Sequence, residues 1–197
     1  IITIDMSDWT TTGLESITSL FQDHTALTSI DMSNWNTDGY ISMYELCKGC
    51  YALTSIDMTG WTAYGPTSLG SAFMDCRSLT TTPVFDFDVS QVTDLGSTFK
   101  NCRSLTTVDL HAFTSCSKLY LQYIFYGCSA LTTLDLSYLN NVPVDRDIGL
   151  AFYGCSSLTA LNVANLDVSQ TWYMMETFGY CSSLESLDLS GWDTSAA

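Results

Sequence analysis

Basic residues are scarce in this 197-residue chain. Six Lys and Arg stand against 21 Asp and Glu, which gives a net charge of −15. An acidic surface repels phosphate backbones and anionic lipid headgroups, so the composition argues against a nucleic-acid partner and against adsorption to membranes. Long hydrophobic runs are also missing: no stretch approaches the roughly 18 apolar residues that a membrane span needs. We therefore expect no membrane insertion.

What the chain does contain is a repeat. The segment FKNCRSLTTVDL, residues 99–110, returns as FYGCSALTTLDL at 125–136 and as FYGCSSLTALNV at 152–163. Ile1 lies 26 residues before the first of the equivalent leucines, and all successive gaps are 26 or 27 residues. These leucines are Leu27, Leu53, Leu79, Leu105, Leu131, Leu158 and Leu184. A period of this length predicts a solenoid of eight rungs rather than a globular fold.

Each rung combines two periodicities. After the central Leu comes L-x-x-Φ-D-Φ (Φ, apolar), whose alternation predicts a short strand with Asp on the opposite side from the apolar residues. The second half runs at helical spacing, as in Leu95, Phe99, Cys102 and Leu105. We expect one repeat domain over 1–197, an α/β solenoid with eight strands in a parallel sheet and about seven short helices or 3₁₀ turns opposite. Pro83 cannot donate to the sheet ladder and predicts a local break.

The pattern L-x-x-L-x-L resembles the leucine-rich repeat. More closely, residues 87–110 (FDVSQVTDLGSTFKNCRSLTTVDL) and the closing LDLSGWDTS are similar to the BspA-like leucine-rich repeat surface proteins. The resemblance covers essentially the whole chain. It implies a horseshoe-shaped, exported protein, extracellular or on the cell surface, that acts in adhesion. It implies no catalytic residues.

One column of acidic residues is the main candidate binding site. The column comprises Asp5, Asp31, Asp57, Asp109, Asp135 and Asp188, and His111 projects on the same face as Asp109. Carboxylates on adjacent rungs, about 5 Å apart, repel each other by roughly 1 kcal/mol in water. Backbone amides and flanking hydroxyls could relieve this repulsion, or the face could bind a cation such as calcium, or a basic or polyhydroxylated ligand. Both the structural and the binding interpretation of the column remain open. We predict no resident metal or cofactor.

Cysteines and tryptophans form further columns. Equivalent cysteines on adjacent rungs have parallel Cβ vectors, which is poor disulfide geometry, so we interpret them as buried free thiols. They are Cys50, Cys76, Cys102, Cys128, Cys155 and Cys181. Trp9, Trp35 and Trp61 recur at the same period and predict an interior stack. Trp172 and Tyr173 lie off this stack, and both exposure on the convex side and packing against the preceding helix remain open for them.

These features favour a non-enzymatic binding or adhesion module that recognises a protein or glycan through the acidic sheet face. His111 lies near Asp109, Asp135 and Ser137, but nothing signals an oxyanion hole or a nucleophile turn, so a hydrolase is disfavoured. The alternative is a structural protein. Because neither end carries a polar capping repeat, the chain is expected either to belong to a longer array or to stack end to end with copies of itself. Ice or mineral binding through the Thr, Ser and Asp lattice is a third alternative.

Overall fold

A computed structural model describes residues 2–37, 39, 41–61 and 65–197 of the chain; Ile1, which the repeat places at the start of the first rung, lies outside them. The described residues contain nine short β-strands and two 3₁₀ helices. The strands are β1 Thr3–Asp5, β2 Ser29–Asp31, β3 Ile41–Ser42, β4 Ser55–Asp57, β5 Pro66–Ser68, β6 Thr133–Asp135, β7 Arg146–Asp147, β8 Ala160–Asn162 and β9 Thr171–Tyr173. The 3₁₀ helices are His111–Ser115 and Ser137–Leu139. Every strand pair is parallel and joins successive rungs, so the predicted solenoid is confirmed.

The predicted strands stack in register on one side of the coil. Strands β1, β2 and β4 form one sheet in which Asp5, Asp31 and Asp57 are directly aligned. Strands β6 and β8 form a second sheet in which Asp135 is aligned with Asn162. Along each strand the central apolar residue points inward and the flanking polar residues face solvent, as the alternation predicted. We call the solvent side of these strands the Asp face.

The sheet is interrupted between β4 and β6, where two residues alter the ladder. In the described structure Thr81 and Thr107 pair as an isolated bridge rather than as strands, next to Pro83. The break that Pro83 predicted is therefore present. A second interruption was not predicted: the N–H of Leu110 donates to the Tyr138 hydroxyl at 3.1 Å, whereas the equivalent Leu136 donates to a carbonyl of the next rung. With these interruptions, eight regular rungs are not confirmed.

The side opposite the Asp face differs from the expectation. The residues at helical spacing form tandem turns. The 3₁₀ helices lie elsewhere: Ser137–Leu139 comes directly after β6, and His111–Ser115 comes after the isolated bridge at Thr107. In residues 97–102, the N–H groups of Ser97, Phe99 and Asn101 donate to carbonyls of the next rung, while those of Lys100 and Cys102 bond three residues back. Ser97 and Asn101 adopt positive φ angles of 58° and 60°, which no α-helix contains. This side therefore consists of turns that are hydrogen-bonded from one rung to the next.

A second ladder of short strands closes the coil, and in each rung its strand comes directly before the tandem turns. β3 pairs with β5 and β7 with β9, each with a register irregularity, and isolated bridges join Ser68 to Asp94 and Asp94 to Tyr120. The sequence did not predict this ladder. In β9, Trp172 and Tyr173 are 65% and 43% exposed, so of the two positions that the sequence left open the structure shows the exposed one.

Aromatic columns fill the interior. The rings of successive phenylalanines are stacked 5.6 to 6.2 Å apart along the coil, in the order Phe73, Phe99, Phe125, Phe152 and Phe178. A second column runs from Trp35 through Trp61 to Phe87, at 5.6 and 4.9 Å. Trp9 was expected in this column, but its side chain is 60% exposed. The prediction of an interior position holds for Trp35 and Trp61 and is wrong for Trp9.

The cysteine column serves packing and local hydrogen bonding. Each thiol donates to the carbonyl of the residue at the Phe position of the preceding rung; Cys102, for example, donates to Phe73 at 3.1 Å. Five thiols of the column are fully buried, and Cys181 is half-buried. Burial raises the pKa of Cys155 to about 12 and that of the off-column Cys116 to about 11. These thiols are therefore protonated donors at neutral pH.

Candidate functional site

Each aspartate of the column accepts a hydrogen bond that closes a local turn. One oxygen of the carboxylate, Oδ1, accepts the backbone N–H two residues further on, an arrangement known as an Asx turn. The six bonds measure 2.8 to 3.0 Å, and their donors are Ser7, Ser33, Thr59, His111, Ser137 and Ser190. The Ser7 and Thr59 hydroxyls add a second bond to the same oxygen of Asp5 and Asp57. The relief of repulsion by amides and hydroxyls is therefore present in the structure.

These hydrogen bonds stabilise the ionised form of the carboxyl groups in the column. The backbone N–H is the largest factor that lowers the pKa of five of the carboxyl groups, and a side-chain hydrogen bond adds to it. The five are Asp5, Asp57, Asp109, Asp135 and Asp188. The bonds use Oδ1, and within the described structure the Oδ2 atoms of Asp5, Asp31 and Asp57 have no hydrogen-bond partner. Each of these three carboxylates therefore has one oxygen that holds its own turn and one that is available to a ligand.

Open depressions cover the Asp face on both sides of the sheet interruption. The larger has a volume of about 580 Å³ and includes Asp5, Asp31 and Asp57, with the Ser and Thr residues two positions before them. A second, of about 490 Å³, includes Asp135 and Asp188 together with Asn162. The structure thus brings the candidate residues together in two groups rather than in one continuous row.

His111 lies between these groups, at the interruption. Its Nδ1 is 2.9 Å from Asp109 Oδ1, and its ring is stacked on Tyr138 with a centroid distance of 3.7 Å. The side chains of His111 and Asp109 are 68% and 72% exposed. Smaller depressions of about 160 and 310 Å³ flank the imidazole, and the latter includes Asp135. His111 thus presents an aromatic, polar surface between two acidic patches.

The arrangement does not form a hydrolytic triad in the described part of the chain. Ser137 donates its backbone N–H to Asp135, and no serine hydroxyl is hydrogen-bonded to His111 among the described residues. Nor do three His, Cys, Asp or Glu side chains converge there as a metal site would require. The carboxylates and hydroxyls of the Asp face offer hydrogen bonding and charge to a ligand.

Two features of the surface escaped the sequence reasoning. The first is Tyr138, whose hydroxyl takes the place of a ladder carbonyl and whose ring is stacked on His111. The repeat pattern did not predict either contact. Further Asx turns stand outside the column, at Asp88, Asp167 and Asp193 and, with glycine as the donor, at Asp94 and Asp147. The short pattern D-x-[S/T/G], which all five share, could have revealed them.

Comparison with known families assigns the chain. The model described as "Mycoplasma protein of unknown function, DUF285" matches residues 2–113, 43–159 and 120–197, and these overlapping matches span almost the whole sequence. The chain belongs to the DUF285 family. Three overlapping matches on one chain are what a short-period repeat produces, because the same model fits at several registers. A search of curated protein sequences found no match for this DUF285 chain.

Solved structures agree on the fold. A leucine-rich repeat protein of T. pallidum, TpLRR, is similar with a TM-score of 0.60 and 19% identity, over 94% of this chain and 72% of that one. A leucine-rich cell surface protein of Faecalibacterium prausnitzii A2-165 has 14% identity over 95% of this chain and 70% of that one, with a TM-score of 0.45. The similarity to TpLRR confirms the leucine-rich repeat fold, whereas the narrower BspA-like resemblance stays a prediction. Within the described residues, no helix has the length and apolarity to cross a membrane.

Proposed function

We propose that this DUF285 protein is a non-enzymatic binding module, displayed outside the cell, that recognises a protein or glycan through the Asp face. One observation carries the proposal. In the carboxylates aligned at successive rungs, Oδ1 accepts the N–H of the turn, Oδ2 has no partner in the described structure, and the residues line an open depression. A rigid row of acceptors with hydroxyls beside it suits a partner that brings several donors in line.

A basic segment of a partner protein fits this surface best. Lysine and arginine side chains supply both the positive charge and the multiple donors that aligned carboxylates accept. The exposed position of the aspartates means that such pairing would steer association and fix the register of the partner more than it would add affinity. A glycan would instead use its hydroxyls as donors to the same oxygen atoms.

The test separates charge from folding. In a double variant, Asp31→Asn with Asp57→Asn, each amide oxygen still accepts the turn N–H, so the fold is retained while the two charges are lost. The matched control, Asp88→Asn with Asp167→Asn, makes the same change in two Asx turns that do not line the depressions. Binding of a lysine-rich peptide and of a neutral oligosaccharide array is measured for all three proteins.

We expect the peptide to bind the wild type and the control alike, and to bind the Asp31/Asp57 variant about tenfold more weakly. Equal affinity of the two variants would contradict a role for the Asp face. Selective retention of an oligosaccharide by the wild type and the control would assign a glycan partner instead. Light scattering on the same samples checks end-to-end assembly, because growth of particle mass with concentration indicates a structural role.

A further inference from the structure

The few basic residues of the chain are unevenly distributed. Four of the six, Lys48, Arg77, Lys100 and Arg103, fall in the tandem turns of three successive rungs. Lys48 is paired with Glu45, and Arg77 is 3.3 Å from Asp75. Among the described residues, Lys100 and Arg103 have no carboxylate within ion-pair distance. This side of the molecule therefore carries two positive charges that its own acidic residues do not neutralise.

Tyrosine rings of the following rungs extend this surface. The Lys100 Nζ lies 4.3 Å from the centroid of the Tyr123 ring and 4.8 Å from that of Tyr126, within the range of cation–π attraction. Tyr126 is stacked in turn on Tyr153 at 4.9 Å, with an angle of 4° between the rings. We call the surface formed by Lys100, Arg103, Tyr123, Tyr126 and Tyr153 the cationic flank.

The cationic flank is also where acidic residues are absent from the sequence. The turns of its three rungs, residues 97–105, 123–131 and 150–158, contain no Asp or Glu, although the chain has 21 of them. On the adjoining rungs, Asp75 is paired with Arg77, and Glu176 lies within electrostatic range of Tyr153. At physiological ionic strength charges are screened over about 8 Å, so a ligand at Lys100 and Arg103 responds more to nearby groups than to the net charge of −15. An anionic ligand is thus acceptable here and disfavoured on the Asp face.

We propose that the cationic flank binds an acidic polysaccharide. Its carboxylate or sulfate groups pair with Lys100 and Arg103, and its sugar hydroxyls bond to the phenol groups of Tyr126 and Tyr153. The tyrosines recur once per rung, 4.9 Å apart, which suits a ligand that is itself a repeating chain. None of the five side chains lines a depression of the Asp face, so this site is separate from the proposed recognition surface.

The experiment uses the whole chain with dextran sulfate, polygalacturonate, neutral dextran and polyglutamate as probes. The test variant combines Lys100→Gln with Arg103→Gln. The matched control combines Lys118→Gln with Arg146→Gln, the other two basic residues, and changes the net charge by the same amount. Thermal unfolding of each variant establishes that folding is retained before binding is compared.

We expect dextran sulfate or polygalacturonate to bind the wild type and the control, and to bind the test variant about tenfold more weakly. Tyr126→Phe with Tyr153→Phe keeps the ring stack but removes the hydroxyls, and should weaken binding about three- to tenfold. Which of the two acidic polymers binds more tightly tells sulfate from carboxylate recognition. Equal loss in the control, equal binding of neutral dextran, or polyglutamate binding as tightly as the polysaccharides would each overturn the proposal.

Discussion

At the scale of the residue, the aspartates of the column have a structural role that can be tested separately from binding. Asp57 accepts the N–H of Thr59 at 2.9 Å and its hydroxyl at 2.7 Å. Two bonds to one carboxylate oxygen hold the chain in the turn that follows the strand. Because these bonds stabilise the ionised form, they lower the pKa of Asp57 below its ordinary value.

Asp57→Ala is therefore expected to lower the free energy of unfolding by about 1 kcal/mol at neutral pH. Since the pKa of Asp57 is lowered in the folded state, its contribution is present above the unfolded value of 3.8 and is lost as the pH falls through the folded value. Denaturant unfolding at pH 7 and below pH 4 measures both effects. Asp8→Ala, which removes an exposed carboxylate without a hydrogen bond in the described structure, is the control and should change stability by less than about 0.5 kcal/mol. A cost that is equal at the two pH values would contradict the turn as its source.

At the scale of the element, the tandem turns replace the helices that the apolar spacing predicted. The tandem turns of most rungs contain two residues with positive φ; Ser71 and Asp75, for example, have φ angles of 57° and 62°. Residues other than glycine adopt this conformation at a cost of roughly 1–2 kcal/mol. Hydrogen bonds between rungs offset this cost, because in this conformation alternate N–H groups reach the carbonyls of the next rung.

Ser97→Gly distinguishes a turn from a helix. In a helix this change would destabilise the protein, because glycine is among the least favourable helical residues. At a positive φ angle it should instead leave the free energy of unfolding unchanged or raise it by up to about 1 kcal/mol. Denaturant unfolding of the variant beside Ser104→Gly, whose φ angle is not positive, provides the comparison. A loss of stability at both sites would indicate helical turns.

The Tyr138 hydroxyl is the second element-scale feature, since it takes the place of a carbonyl in the Asp-face ladder. Tyr138→Phe leaves the N–H of Leu110 without its acceptor, and we expect a loss of about 1–2 kcal/mol in the free energy of unfolding. Tyr126→Phe, whose hydroxyl has no hydrogen bond among the described residues, should have almost no effect. Equal unfolding midpoints for the two variants would exclude the ladder role of Tyr138.

At the scale of the whole molecule, the columns make one continuous core that runs along the coil. Successive Phe rings and thiols touch the rung before and the rung after, so each rung depends on its neighbours. Burial is nearly complete along the thiol column except at Cys181, which is half-buried. Desolvation raises the pKa of Cys102 and Cys128, which suppresses their reactive thiolate forms.

A thiol reagent should consequently modify the native protein first at Cys181. Cys102 and Cys128 should react only as rapidly as the protein unfolds, even at pH 9, because they are buried and their thiols remain protonated there. Mass spectrometry of labelled protein, with time and with denaturant, measures the order. Early modification of Cys102 in the absence of denaturant would contradict a continuous core.

The period of 26 residues, the inward Leu, Phe and Cys columns, and the outward Asp column could all be predicted from the sequence, because a stack of equivalent rungs gives each position one environment. The same reasoning located the break at Pro83, which lacks a donor. The binding role of Asp5, Asp31, Asp57, Asp109, His111, Asp135 and Asp188 stays a proposal. Trp9 occupies the same position in the repeat as Trp35, but Trp9 is 60% exposed whereas Trp35 is buried, so the repeat position alone does not determine burial.

Tertiary structure decided what depends on contacts between rungs. An apolar spacing of three and four residues is compatible with a helix and with tandem turns, and the choice rests on whether N–H groups bond within a rung or to the next one. The stack of His111 on Tyr138 and that of Lys100 on Tyr126 likewise join residues 26 or 27 positions apart. Sequence periodicity establishes which positions are equivalent, but the partner of a side chain on a neighbouring rung depends on geometry that only the folded coil supplies.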